Sequence, residues 1–149
     1  MDHFRAYKAI DNIIAGETNM SHTSYELCPW WEVDLIDDYI IDEIVIWNRI
    51  YPGDDTVENR LFPFTLYILE NDRSVAWSES ITQFQNTPLV FSIPDVVGQH
   101  VRIQLDSQEW LNLYEVQVFA QPVPEPCTML LLGTGLAGLG LYRKKKGKV

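Results

Sequence analysis

The carboxylates are the first candidates for chemistry in this chain. Residues 1–121 hold twenty Asp/Glu against six Lys/Arg. Paired carboxylates can hydrolyse a glycosidic bond, but in so acidic a segment such pairs arise from abundance alone. The chain has no Gly-x-Ser-x-Gly, no His-Glu-x-x-His and no Gly-x-x-x-x-Gly-Lys phosphate loop, so the expectation is a protein that is not an enzyme. The six cations are more informative: Arg5, Lys8, Arg49, Arg60, Arg73 and Arg102. An Arg fork donates equally well to a ligand's oxygens and to a carboxylate. Each of the six therefore reads either as a binding residue or as an ion-pair partner for the surrounding acids. The two cysteines, Cys28 and Cys127, are too few for a disulfide framework or a four-Cys zinc site. Cys28 reads as a small, buried apolar residue.

The elements that must carry these residues divide at one place. The net charge of −10 averages two unlike parts. Six cations against twenty acids give residues 1–121 a formal −14. Five cations against Glu125 alone give residues 122–149 a formal +4. So acidic a body excludes nucleic acid as a partner, because phosphate binding needs a basic face. The boundary is Gln121-Pro122-Val123-Pro124-Glu125-Pro126, where three prolines in five residues continue neither strand nor helix. An uncharged run follows at residues 128–142, TMLLLGTGLAGLGLY, and it closes with Arg143, Lys144, Lys145, Lys146 and Lys148. As a C-terminal hydrophobic helix this run is about 22 Å long at ~1.5 Å per residue. That is short of the ~30 Å hydrocarbon core, and the basic end marks a cytoplasmic flank. Its other reading, a buried core helix, is a poor match for four glycines and a basic end.

The body reads as all-β. Residues 31–35 (WEVDL), 40–47 (IIDEIVIW), 64–69 (FTLYIL), 89–93 (LVFSI), 100–105 (HVRIQL) and 113–119 (LYEVQVF) are strand candidates. Ile44/Ile46 and Val101/Ile103/Leu105 place apolar groups at every second position. Residues 51–55, 70–73 and 94–98 are turn-rich. Short strands at such intervals predict an antiparallel sandwich. One of Trp30 and Trp31 should pack inward and the other cover a rim, Trp47 and Trp77 belong to the core or to cross-strand pairs, and Trp110 in a polar loop is the candidate exposed contact.

Two resemblances sharpen this reading. Val123-Pro124-Glu125-Pro126-Cys127-Thr128, the Leu/Gly/Ala stretch and the basic cluster stand in the order of the PEP-CTERM sorting signal of Gram-negative bacteria, which they resemble, with Cys127 where Ser is usual. The resemblance implies that an exosortase-type membrane protease recognises Pro124, Glu125 and Pro126 and removes the tail. It also implies that residues 128–142 hold the chain transiently in the inner membrane, and that the exported body ends at the cell surface or in the extracellular matrix. Such a chain carries a secretion signal, and MDHFRAYKAI lacks the apolar core of one. The expectation is an upstream start or a truncated gene.

In the body, Ala9-Ile10-Asp11, Ser21-His22-Thr23, Pro29-Trp30-Trp31-Glu32-Val33-Asp34-Leu35, Trp47-Asn48-Arg49, Arg60-Leu61 and Val101-Arg102-Ile103-Gln104-Leu105 follow one another. This order resembles the discoidin-like, coagulation-factor C-type sandwiches and most closely the F-type lectins (fucolectins), over about residues 6–120. The resemblance implies a galactose-binding-domain-like, antiparallel jelly-roll β-sandwich of about eight strands, spanning residues 1–121 with its first strand missing, followed by the sorting tail at 122–149. It implies a carbohydrate site for a fucose-like glycan at His22, Arg49 and Arg60. There His and Arg donate to adjacent hydroxyls, and an apolar face takes the ring carbons. Tyr51 stands where the family has an Asp that orients the first Arg, and the loop at 50–59 is longer and lacks the family's adjacent Cys pair. Asp54 and Asp55 are the acids able to replace the missing one. The resemblance further implies a structural calcium at Asp11, Asn19 and Glu115, with carbonyls of Lys8, Ile13 and Tyr114 as helpers. A non-catalytic structural or adhesive matrix protein with a degenerate sugar site is the alternative function.

Overall fold

A computed structural model of the chain describes residues 5–16 and 18–124, with only the backbone of Asp55. The expected tail helix at 128–142, together with Glu125, Pro126 and Cys127, lies outside the described residues. A 3-10 turn, Ala6–Ile10, opens the body. It is followed by β1 Ser21–His22, β2 Glu26–Leu27, β3 Trp30–Asn48, α1 Asp55–Asn59, β4 Phe64–Leu69, β5 Val75–Ile81, β6 Leu89–Leu105, β7 Gln108–Glu109 and β8 Asn112–Pro122. Six strands bond antiparallel in the order β1-β8-β3-β6-β4-β5, and β2 pairs with β7 in a separate ribbon.

One continuous ladder makes both layers of the sandwich because β3 and β6 each serve twice. The first part of β3 (Trp30 to Asp34) pairs with the last part of β6 (His100 to Gln104), which also pairs with β4. The second part of β3 (Tyr39 to Asn48) pairs with the first part of β6 and with β8. Strands that change layer do so at bulges. In β3, residues 35–38 face only Gln99, and in β6, Ile93, Pro94 and Asp95 face only Asp42. Residues 94–98, expected as a turn, are therefore inside a strand. Pro94 lacks an N–H but sits in the gap of the ladder where none is needed. The two strands expected at 31–35 and 40–47 are likewise one. β5 was not expected: its sequence, VAWSESI, alternates weakly because it is an edge strand.

The alternation places the core as expected. Ile44, Ile46, Leu66, Ile68, Val101, Ile103 and Leu105 are fully buried between the layers, each worth about 1.5–3 kcal/mol relative to exposure. Trp31 is buried with its indole N–H donating to the carbonyl of Ala6 at 2.9 Å, while Trp30 is 53% exposed beneath the Arg102 guanidinium, 4.8 Å from its ring centre. Trp77 packs against the core. Cys28 departs from its expected burial: it is only half-buried, with φ +52° at the entry to β3 and its N–H on the carbonyl of Ser107.

Ile36 carries the strain of the β3 corner. It has φ +75° and is 86% exposed, a conformation that costs a β-branched residue about 1–2 kcal/mol. Its N–H donates to Asp34 Oδ1 at 2.7 Å, a bond that glycine keeps. Ile36→Gly is expected to stabilise the domain by about 1 kcal/mol and to raise Tm by roughly 3–5 °C in a thermal melt.

Candidate functional site

The three residues expected to form one site come from three separate elements and meet at one rim. His22 lies in β1, opposite Asn112 of β8. Arg49 follows the end of β3 and Arg60 caps the C-terminus of α1. The buried Asn48 fixes this corner: its Nδ2 donates to the carbonyl of Glu58 at 2.8 Å and its backbone N–H to Thr87 Oγ1 at 3.0 Å. The Tyr114 hydroxyl donates to the carbonyl of Ile50 at 3.2 Å. The long loop after β3 is thus pinned at both ends of its run, and α1 is wound within it.

Electrostatics shows the convergence. Burial lowers the pKa of His22. The hydrogen bond to the Thr23 carbonyl acts in the opposite sense, and the charges of Arg49 and Arg60 lower it further. Nδ1 lies 2.6 Å from the Thr23 carbonyl oxygen, so it carries the proton, and in the neutral ring Nε2 is the acceptor. The proton on Nδ1 is thus held by the backbone, beside two guanidinium groups.

No carboxylate of the described side chains pairs with Arg49 or Arg60 within 4.0 Å. Each guanidinium instead lies over an aromatic ring, Arg49 at 5.8 Å from the Tyr51 ring centre and Arg60 at 5.1 Å from Trp110. Tyr51 thus gives Arg49 a π-face where the family offers an acid. Asp54 does not substitute for that acid. Its carboxylate accepts the Thr56 N–H at 3.0 Å and the Thr56 hydroxyl, capping α1. Those bonds, and more weakly the Arg60 charge, hold its carboxyl below the usual range. The side chain of Asp55 lies outside the described residues. Trp110 is half-buried and meets Tyr25 at 4.5 Å between ring centres. Tyr25, half-exposed, carried no sequence signal, since it is an isolated residue in a turn.

The expected metal ligands are divided. Glu115 in β8 is 2% exposed and accepts the Asn12 N–H at 3.1 Å. Burial raises its pKa, Asn12 opposes this, and the nearby charge of Asp11 raises it again. Asp11 accepts the Ile13 N–H at 3.1 Å and has Lys8 Nζ 3.5 Å away. Asp11 and Glu115 therefore face one another electrically, beside an open hollow of about 350 Å³ lined by Ile10, Asn12, Glu115 and Gln117. Asn19 closes its loop by an N–H bond to Gly16, and its side chain packs by Gly16, where a Cβ would stand 3.2 Å from Nδ2. A buried carboxylate next to another fits a cation. Among the described residues no three His, Cys, Asp or Glu side chains are grouped to hold a metal, so an ion here would draw on backbone carbonyls. Of the sorting motif only Pro124 is described.

The chain has known relatives. The family model of the NedA-like, galactose-binding domain matches residues 8–103, and that of the PEP-CTERM protein-sorting motif matches residues 122–145. Fucolectin-6 of Anguilla japonica is 29% identical over 103 residues, covering 67% of this chain and 53% of its own. The pentraxin fusion protein of Xenopus laevis is 26% identical over 129 residues, covering 80% of this chain and 30% of its own. The chain thus spans about half or less of these relatives. Among solved structures, the lectin domain of lectinolysin complexed with Lewis B antigen superposes with a TM-score of 0.72 at 25% identity, over 81% of this chain and 86% of that one.

Proposed function

The chain belongs to the NedA-like, galactose-binding domain family, and from that premise we propose that it is an exported, non-catalytic module that binds a fucose-like glycan at the rim of His22, Arg49 and Arg60. The convergence of these three residues carries the reading, because both guanidiniums act on the His22 ring. Two fork donors and one imidazole acceptor match vicinal hydroxyls, each of which both donates and accepts. Tyr51, Trp110 and Tyr25 supply apolar faces for sugar carbons and a methyl group. The fucolectin relative and the Lewis B complex of lectinolysin support the same ligand class. Asp11, Asn19 and Glu115 would hold a structural calcium that ties the first loop to β8. The PEP-CTERM motif supports processing by an exosortase-type protease, with transient anchoring in the inner membrane through residues 128–142 and release to the cell surface or matrix. Isothermal titration of the full chain with fucosylated oligosaccharides, calcium present, tests the sugar reading: saturable binding is expected. A glycan array on which the folded, calcium-loaded protein binds nothing overturns it. That outcome would favour the adhesive matrix protein with a degenerate site, to which Tyr51 in place of an acid points.

The His22 ring sets the pH response. Its pKa lies below the ordinary 6.5, so the neutral ring is the major form at pH 6.5 and above. Glycan affinity is expected to fall with a midpoint below pH 6.5, as the ring takes a proton. A titration series by pH checks this, and a fall centred above pH 6.5 contradicts it.

A further inference from the structure

We propose that Trp110 is a positioning residue of the rim. Its ring holds the Arg60 guanidinium toward His22, and the ring is itself set in place by the β1–β8 ladder and by Tyr25.

Arg60 stands between two attractors. On its own loop is Asp54, whose carboxyl feels the Arg60 charge but is spent on the backbone and hydroxyl of Thr56. Opposite is the Trp110 ring, its centre 5.1 Å from Arg60 Cζ. Indole is the best aromatic partner for a guanidinium. An Arg bound to a carboxylate gives its donors to that acid, whereas an Arg laid flat on a ring keeps its in-plane N–H groups for a ligand. A side chain held before the ligand arrives also loses less freedom on binding.

The ring can hold Arg60 only if it is fixed, and the backbone around it is tied on both sides. The Trp110 N–H donates to Glu109 Oε1 at 3.0 Å, and its carbonyl accepts Asn112 Nδ2 at 3.1 Å. Asn112 is buried and is the register partner of His22. Between them, Thr23 and Leu111 exchange two bonds: the Thr23 N–H donates to the Leu111 carbonyl at 3.1 Å, and the Leu111 N–H to Thr23 Oγ1 at 3.0 Å. Tyr25 packs against the indole at 4.5 Å between ring centres. The frame that carries His22 therefore carries Trp110, and Trp110 carries Arg60. The value of this for a glycan rests on the sugar reading above, but the placement of Arg60 does not. The free protein reports that placement through His22, whose pKa is lowered by burial and further by the charges of Arg49 and Arg60.

NMR titration of the His22 imidazole in the full chain without glycan tests it, with His22→Gln to assign the signal. Trp110→Leu keeps an apolar body and removes the π-face. It is expected to raise the His22 midpoint, as Arg60→Gln does, and the two together are expected to raise it no further than Arg60→Gln alone. Trp110→Phe is expected to stay near wild type. A midpoint that neither Trp110→Leu nor Arg60→Gln moves overturns the proposal. So does a double variant whose rise is the sum of the single ones, since Trp110 would then act on His22 by burial and not through Arg60. Should Trp110→Leu not fold, Tyr25→Ala at a half-exposed residue reads the same placement, with a raised midpoint expected and an unmoved one contrary. Titrated with a fucosylated oligosaccharide, Trp110→Leu is expected to bind about three- to tenfold more weakly. A weaker affinity with an unmoved midpoint would make Trp110 a wall for the sugar and end its positioning role. A raised midpoint in a protein that binds no glycan would keep the placement of Arg60 and remove the sugar.

Discussion

Replacing Arg49 with alanine is expected to cost about 2–4 kcal/mol of glycan binding, roughly a 30- to 700-fold rise in Kd, with the fold intact. The size follows from what the guanidinium does. It donates charge-assisted bonds that no neighbouring carboxylate within 4.0 Å of it takes up among the described side chains. Its contact in the free protein is the Tyr51 ring at 5.8 Å, an exposed cation–π contact worth only about 0.5–1 kcal/mol. Deletion should therefore move Tm by little while removing most of the affinity. Arg49→Lys separates charge from shape: a point charge without the fork is expected to recover only part of the loss. Titration of both variants against one fucosylated oligosaccharide, with thermal melts alongside, gives the result. An unchanged Kd for Arg49→Ala would move the sugar away from this rim.

The architecture was legible where a strand buries one face. Ile44 and Ile46, and Val101, Ile103 and Leu105, are read as alternating and are buried to the last, because a sandwich core accepts only every second residue. The corners were not legible. Residues 94–98 contain Pro and Gly, which signal a turn in isolation, yet they lie in a strand that bends between layers. Gly98 is needed there for another reason: a Cβ would come within 2.4 Å of Ile68 Cγ2. Nor does local sequence warn that Ile36 will adopt φ +75°, since a β-branched residue argues against it.

The rim was legible only through the order of its motifs. His22, Arg49 and Arg60 are separated by loops and a helix, and no periodicity joins them. The resemblance to the F-type lectins placed them together, and the charges of Arg49 and Arg60 act on the His22 ring. What the resemblance did not supply was the local substitution. Tyr51 answers Arg49 with a ring instead of an acid, and Asp54 is spent on capping α1. Such exchanges depend on where a side chain points after folding, which spacing alone does not fix. The partnership of Tyr25 with Trp110 was hidden because it joins residues on either side of the small β2–β7 ribbon.

Calcium at a hundredfold excess over its Kd is expected to stabilise the protein at pH 7 by about 2.7 kcal/mol, roughly 8–13 °C in Tm for a chain of this length, and EDTA should reverse the shift. Glu115 makes the prediction specific. In the metal-free protein its raised pKa means that the folded state holds a proton more tightly than the unfolded chain, whose carboxyl has the ordinary value of 4.5. Stability therefore falls as pH rises from 4.5 through the folded pKa, because the folded state binds more protons across that window. Calcium requires the carboxylate, so its stabilisation must grow with pH across the same window and vanish below 4.5. Glu115→Gln removes both effects. It keeps an oxygen for the Asn12 N–H and deletes a buried charge beside Asp11, so its metal-free form is expected to be more stable than metal-free wild type at pH 7 by about 1 kcal/mol. It should show no shift with calcium. Melts of both proteins at pH 4.5 and 7, with calcium and with EDTA, resolve the two slopes. A wild-type Tm indifferent to calcium at pH 7 would leave Glu115 as a buried acid without a cation, held by the backbone N–H groups of Asn12 and Asp11.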